Sequence, residues 1–454
     1  MQHCIYLIKN FPYSFSISAT RSLSTLESKL DSLQCHFTWG LDPSRSKLLH
    51  VRDNLEDIGT QEGYSWLGHI YNLQGFIHCQ LGLTEDACRF FSRATETFRQ
   101  IRNTVSDEGQ WLVVSYGNLA WLHHQLGERA QSLGYISKVD ALINEYASPF
   151  PNELHPEIYA EKAWTLMKFG KDSNLLAADY FQRAIRMQPG MVEWQTSHVI
   201  ALVNACSHHD KNLGADIFEK LKLTKEQDQA NLYLAALYLE ACADKGINIE
   251  NEARELARMV LRKPISSYSG IQPLLRLYRR YVSMDEAVDL AEEAVERHPD
   301  KRYLKKCAAT CYKWRILSQK DNPLEHSMIN RAISLCKEVI SLYPHSSFKM
   351  QVTLADIYAK SNTTQAAADQ IYVELLQSDL DPKEAQILYN YYAKYLHFNQ
   401  KQIYKSIEFH MKAAAIPQQS SYRDNSIRNL EKIRERNKNK MCGEIHEFLE
   451  KLHH

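Results

Sequence analysis

The sequence predicts an all-α fold, a superhelix of tetratricopeptide-type helix–turn–helix repeats in two lobes. Three observations carry this. Helix breakers are scarce, with 16 Gly and 13 Pro in 454 residues, while Leu, Ala, Glu and Lys abound. A small–bulky–small stripe recurs at i, i+4 and i+7, which is one face of a helix. In several copies a Pro follows five residues later and stops the helix.

The elements follow in order. A leader over residues 1–23 has no acidic residue and many Ser, and is expected to be flexible. An N-terminal lobe is expected over 24–206. Its first helix ends in the string Cys35, His36, Phe37, Thr38, Trp39, before Gly40 and Pro43. Ala87, Phe91 and Ala94 then mark one second helix, and Ala177, Phe181, Ala184 and Pro189 another. Residues 207–229 have little repeat character and are expected to be a pivot. The C-terminal lobe, 230–440, carries Ala287, Ala291, Ala294 and Pro299, then Ala332, Cys336, Val339 and Pro344. A further second-helix stripe is expected from Ala367, and an insert at 318–330 lengthens one repeat. Residues 441–454 are read as a short tail. One pair cannot bury its own apolar face, so about eight repeats of about 34 residues are expected to stack.

Charge is balanced, 54 basic against 54 acidic residues, so nothing draws the whole chain to nucleic acid or to membranes. No apolar run reaches the length of a membrane span. The ten Cys form no CxxC pair and read as reduced thiols of a cytoplasmic protein. His123/His124 and His208/His209 are sequence neighbours, which point about 100° apart on a helix and make poor metal pairs. Cys307 and Cys311 share a helix face beside Ala308 and Ala309, and core packing explains them. Cys35 and His36 lack an orienting third group. No metal, no cofactor and no catalysis are expected.

What remains is a concave wall of first helices. Trp164 and Lys168 lie four apart on one face, as do Arg276 and Arg280 beside Tyr278 and Arg279, and Lys305 and Lys306 add charge. Cations for phosphates and rings for bases are what single-stranded RNA requires. Residues 428–440 add six cations and two Glu, either a solvated helix or an RNA-lining one.

The strings "LDSLQCHFTWGL", "YNLQGFIHCQLG", "YGNLAWLHHQLG", "HPEIYAEKAWTLMKFGK", "LYRRYVSMDEAV" and "SYRDNSIRNLEKI" together resemble the interferon-induced proteins with tetratricopeptide repeats, over roughly residues 28–435. The resemblance implies a cytoplasmic antiviral effector that holds the 5′ end of single-stranded RNA in a basic tunnel, selects triphosphate or incompletely methylated cap ends, and blocks translation. It also implies association with itself or with related repeat proteins. Carried over residue by residue, it makes Trp164, Lys168, Ile200, Arg279 and Lys306 RNA-binding positions, with Arg276 and Lys305 as local support; Trp164 would stack on the first base or cap. The chain departs from the family at Asn54, Ile58 and Asn174, and at Asn204 and Gln272, which stand where the family has Arg. Each lost Arg removes a bidentate phosphate contact worth about 1.5–3 kcal/mol. The alternative reading is therefore a protein-interaction scaffold in antiviral signalling that has lost recognition of the RNA end. Cys35, Phe37 and Trp39 are expected to be a packing plug that caps the first repeats.

Overall fold

In the computed structural model, residues 26–60, 64–102, 109–206, 213–318, 325–360, 365–436 and 439–453 are described. The expected leader, residues 207–212 of the pivot and residues 319–324 of the insert lie outside them. All regular structure among the described residues is helical, as the composition predicts. The chain divides into two compact units that meet between Asp228 and Gln229.

The first unit contains α1 (26–32), α2 (Arg45–Ile58), α3 (Leu67–Gln80), α4 (Thr84–Arg102), α5 (Val113–Gln125), α6 (Arg129–Glu145), α7 (Pro156–Phe169), α8 (Asn174–Met187), α9 (Val192–Ala205) and α10 (Ala215–Gln227). From α3 onward the helices pack as consecutive pairs. The α3–α4 and α5–α6 turns use Gly82 and Gly127 at φ 78° and 76°, a left-handed conformation that glycine adopts without a Cβ clash. Ala87, Phe91, Ala94, Ala177, Phe181 and Ala184 are all fully buried. The approach is close: a Cβ on Gly75 of α3 would lie 2.5 Å from the Phe91 ring. A helix, α10, fills much of the segment read as a pivot. Its buried face is Phe218, Leu221 and Thr224, a stripe at i, i+3 and i+6 without the alanines of the repeat pattern.

The second unit contains α11 (Leu232–Asp244), α12 (Glu250–Arg262), α13 (Ile271–Leu277), which runs on into a π turn at Tyr278–Val282, α14 (Met284–Arg297), α15 (Arg302–Ser318), α16 (His326–Leu342), α17 (Phe348–Lys360), α18 (Gln365–Gln377), α19 (Pro382–Phe398), α20 (Ile403–Ala415), α21 (Ser421–Arg436) and α22 (Cys442–His453). The stripes of α14 and α16 are buried as expected. That of α18 sits one residue later than expected: Ala368, Tyr372 and Leu375 face the core, while Ala367 is partly exposed. In the stretch read as a tail, Ile445 and Leu449 of α22 bury against Ile407, Ala414 and Leu430. Ten helix pairs, rather than about eight, are formed among the described residues; the second helices α6, α10 and α22 bury stripes without an alanine, so their pairs lack the signal seen on α4, α8, α14 and α16.

The Cys-His-Phe-Thr-Trp string is a plug, as expected. Phe37 stacks on Trp121 at 5.7 Å and meets Phe76 edge-on at 5.1 Å. The Asn118 amide donates to His36 Nδ1 (3.1 Å), which leaves Nε2–H to donate to Thr165 Oγ1 (3.2 Å). Burial pushes the imidazole pKa down to about 3 and the Cys35 thiol up to about 12. An imidazole of so little basicity and a thiol that stays protonated are structural groups, not a base and a nucleophile.

Candidate nucleic-acid interface

The candidate residues fall in both units. Trp164, Lys168 and Ile200 belong to the first; Arg276, Arg279, Lys305 and Lys306 belong to the second.

In the first unit, α7 starts at Pro156, where fixed φ suits a first helical position. His155 caps it by accepting the Glu157 N–H. From there Glu157, Glu161, Trp164 and Lys168 follow at spacings of four, three and four, one face of the helix. Trp164 is only 1% exposed. Its ring stacks on Trp66 at 5.8 Å, and the Lys168 ammonium sits 4.4 Å from its centroid. The expected stacking platform is thus buried: the indole is a core residue, packed on Trp66 and His69, that backs Lys168. Burial pushes the Lys168 pKa down to about 7, because a desolvated ammonium loses its hydration. An anion beside it would reverse that shift.

Two further features belong to the same unit. Glu161 is buried and accepts from the Asn72 amide at 2.8 Å, and burial pushes its carboxyl up to about 8. At pH 7 this carboxyl is held mostly protonated, two turns before Lys168 on the same face of α7. Asn174, at 4% exposure, keeps an Oδ1 without a hydrogen-bond partner among the described residues. Ile200 and Asn204 are half-buried on α9.

The second unit treats its cations unequally. Arg276 forks onto Glu240, Nε donating to both carboxylate oxygens at 2.9 Å and Nη2 to Oε2 at 2.5 Å. Lys305 is ion-paired with Glu338. Both were expected to support phosphate binding; each instead already has an anionic partner, Arg276 from the neighbouring repeat and Lys305 from the second helix of its own. Arg279 lies on the π turn, half-buried, with its Nη1 3.7 Å from the Cys311 thiol, a weak acceptor. Lys306 stands 4.7 Å over the Tyr343 ring. Gln272 is exposed and accepts the Tyr303 hydroxyl at 3.2 Å.

A further cluster was not anticipated. Lys313 of α15 donates to Thr353 Oγ1 (3.0 Å) and Tyr391 OH (3.4 Å). Lys394 approaches the same Tyr391 ring at 5.5 Å, and Tyr422 lies 5.9 Å from it. Asp356 accepts from Tyr372 OH, and burial raises its pKa to about 6. The signal available in the sequence was "YNYYAKY", which sets Tyr391 and Lys394 three apart on α19.

Similarity to proteins of known function agrees with this geometry at the level of fold. No protein-family profile matches the chain. It is 24% identical over 435 residues to mouse (Mus musculus) interferon-induced protein with tetratricopeptide repeats 2, covering 91% of this chain and 88% of the relative. It is 23% identical over 429 residues to the human (Homo sapiens) antiviral innate immune response effector IFIT1, covering 90% and 87%. Among solved structures it resembles the human IFIT1 dimer with m7Gppp-AAAA, at a TM-score of 0.71 and 22% identity over 93% of this chain and 95% of that one. The human IFIT1 dimer with PPP-AAAA gives a TM-score of 0.68 at the same identity and coverage.

Proposed function

We propose that this chain, similar over nine-tenths of its length to interferon-induced proteins with tetratricopeptide repeats, is a non-enzymatic antiviral effector that binds single-stranded RNA and blocks its translation. The observation that carries the reading is the Trp164–Lys168 pair: a lysine amine held over a buried indole with its pKa lowered by burial, ready to gain a proton when a phosphate arrives. The relatives' complexes with capped and triphosphorylated RNA support the ligand class. Arg279 and Lys306 supply further cations, and Ile200 an apolar wall. The protein works in the cytoplasm, and the dimeric relative supports association with itself or with related repeat proteins.

A second reading has its own support. Asn204 and Gln272 provide no guanidinium fork, and Arg276 and Lys305 are already paired. A scaffold for protein partners in antiviral signalling, with end recognition lost, fits those features. The test is a titration of the purified protein with one short RNA carrying 5′-triphosphate, unmethylated cap or 5′-hydroxyl. Salt-sensitive binding supports the RNA effector; equal failure of all three RNAs, with capture of a protein partner, supports the scaffold.

A further inference from the structure

We infer that Glu240 is a built-in counter-anion that sets the basic face of the second unit against highly charged RNA ends. The inference rests on the RNA reading above and names the kind of end this face admits. Glu240 is 7% exposed on α11. Both of its carboxylate oxygens are taken: Arg276 forks onto them, and Arg280 Nη1 donates to Oε1 at 2.7 Å. A second nitrogen of Arg280 donates to Asp244 at 3.3 Å, and the Tyr281 hydroxyl donates to the same Asp244 oxygen. Two guanidiniums are thus held by two carboxylates, and the group carries no net charge. An incoming phosphate must share those arginines with a buried carboxylate that repels it, and repulsion grows with the charge of the incoming group. A triphosphate suffers most; a phosphodiester with one charge suffers least.

Arg279 stands on the same turn but differs. Its guanidinium donates to the Cys311 thiol, and no carboxylate hydrogen-bonds to it among the described residues. One guanidinium is therefore left for a single phosphodiester, while the adjacent pair is spoken for. This is the arrangement expected of a wall that tracks an RNA backbone and discriminates against a 5′-polyphosphate.

A carboxylate that merely staples α11 to α13 would look the same in the structure, but the two roles separate at Glu240→Gln. The amide still accepts a guanidinium hydrogen bond, and the negative charge is gone. Binding of 5′-triphosphate and 5′-hydroxyl forms of one RNA would be measured by fluorescence anisotropy at two salt concentrations. Glu240→Gln is expected to tighten the triphosphate RNA by about tenfold and the hydroxyl RNA by about threefold or less. The double variant Glu240→Gln/Arg280→Gln restores neutrality and is expected to return the ratio to the wild-type value. Equal changes for both RNAs, or weaker binding of both, would overturn the inference and leave Glu240 a staple. If wild type binds RNA and the ratio does not move, this inference alone fails; if no variant binds either RNA, the RNA reading fails with it. Should Glu240→Gln melt early by circular dichroism, Asp244→Asn is expected to shift the ratio the same way by a smaller factor, and an unchanged ratio there counts against the proposal.

Discussion

At the scale of single residues, burial decides what each group can do. Trp39 is 7% exposed, with its ring 4.7 Å from that of His36, so it fills the plug rather than presenting a surface. Trp39→Ala is expected to cost about 3–5 kcal/mol by denaturant unfolding, as large core truncations do; unchanged stability would contradict the plug. Lys168 yields a prediction specific to its setting. Its pKa of about 7 leaves most of the free protein uncharged there at pH 8. A bound phosphate favours the charged form and raises that pKa. Binding at pH 8 should therefore take up close to one proton per RNA, read by calorimetry in buffers of different ionisation enthalpy, and Lys168→Ala should abolish the uptake.

Between elements, the contacts that matter join distant stretches of sequence. A Cβ on Gly117 of α5 would lie 2.9 Å from Cys35 Cβ, with no flexible side-chain end to yield. Gly117→Ala should therefore push the plug off α5 and destabilise by about 1–3 kcal/mol, checked by thermal melting. This scale is also where sequence reading reaches its limit. The stripes on α4, α8, α14 and α16 were legible because they repeat at helical spacing, and the plug because aromatic residues crowd five positions. Ala368 was missed for Ala367 because three alanines in a row leave the register open. The fork of Arg276 was not legible, because Glu240 lies 36 residues away and nothing local announces the pairing. Nor was the burial of Trp164, which depends on Trp66 arriving from another repeat.

For the whole molecule, the buried titratable groups set a pH profile. Burial lowers the pKa of His36, His78, His155, His198 and His410. Each contributes stability above the unfolded value near 6.5, lost as pH falls toward the depressed folded value. Glu161, Asp356 and Glu384 are raised by burial and act oppositely: their contribution is complete below the unfolded carboxyl value and fades as pH rises through the folded one. The histidines outnumber the carboxyls, so Tm should fall from pH 6.5 to pH 4.5. A flat or rising Tm over that interval would mean the imidazoles are not held neutral.

Balanced charge, 54 against 54, makes the central claim sharp, because any RNA affinity must come from placed cations and not from a global field. The most direct measurement is the affinity for a short single-stranded RNA as a function of salt, for wild type and Lys168→Ala. The RNA-binding account predicts a linear fall of log K with log salt, and a slope shallower by about one in Lys168→Ala. Affinity indifferent to salt, or a slope the same in both proteins, would contradict a phosphate contact at Lys168 and turn attention to protein partners.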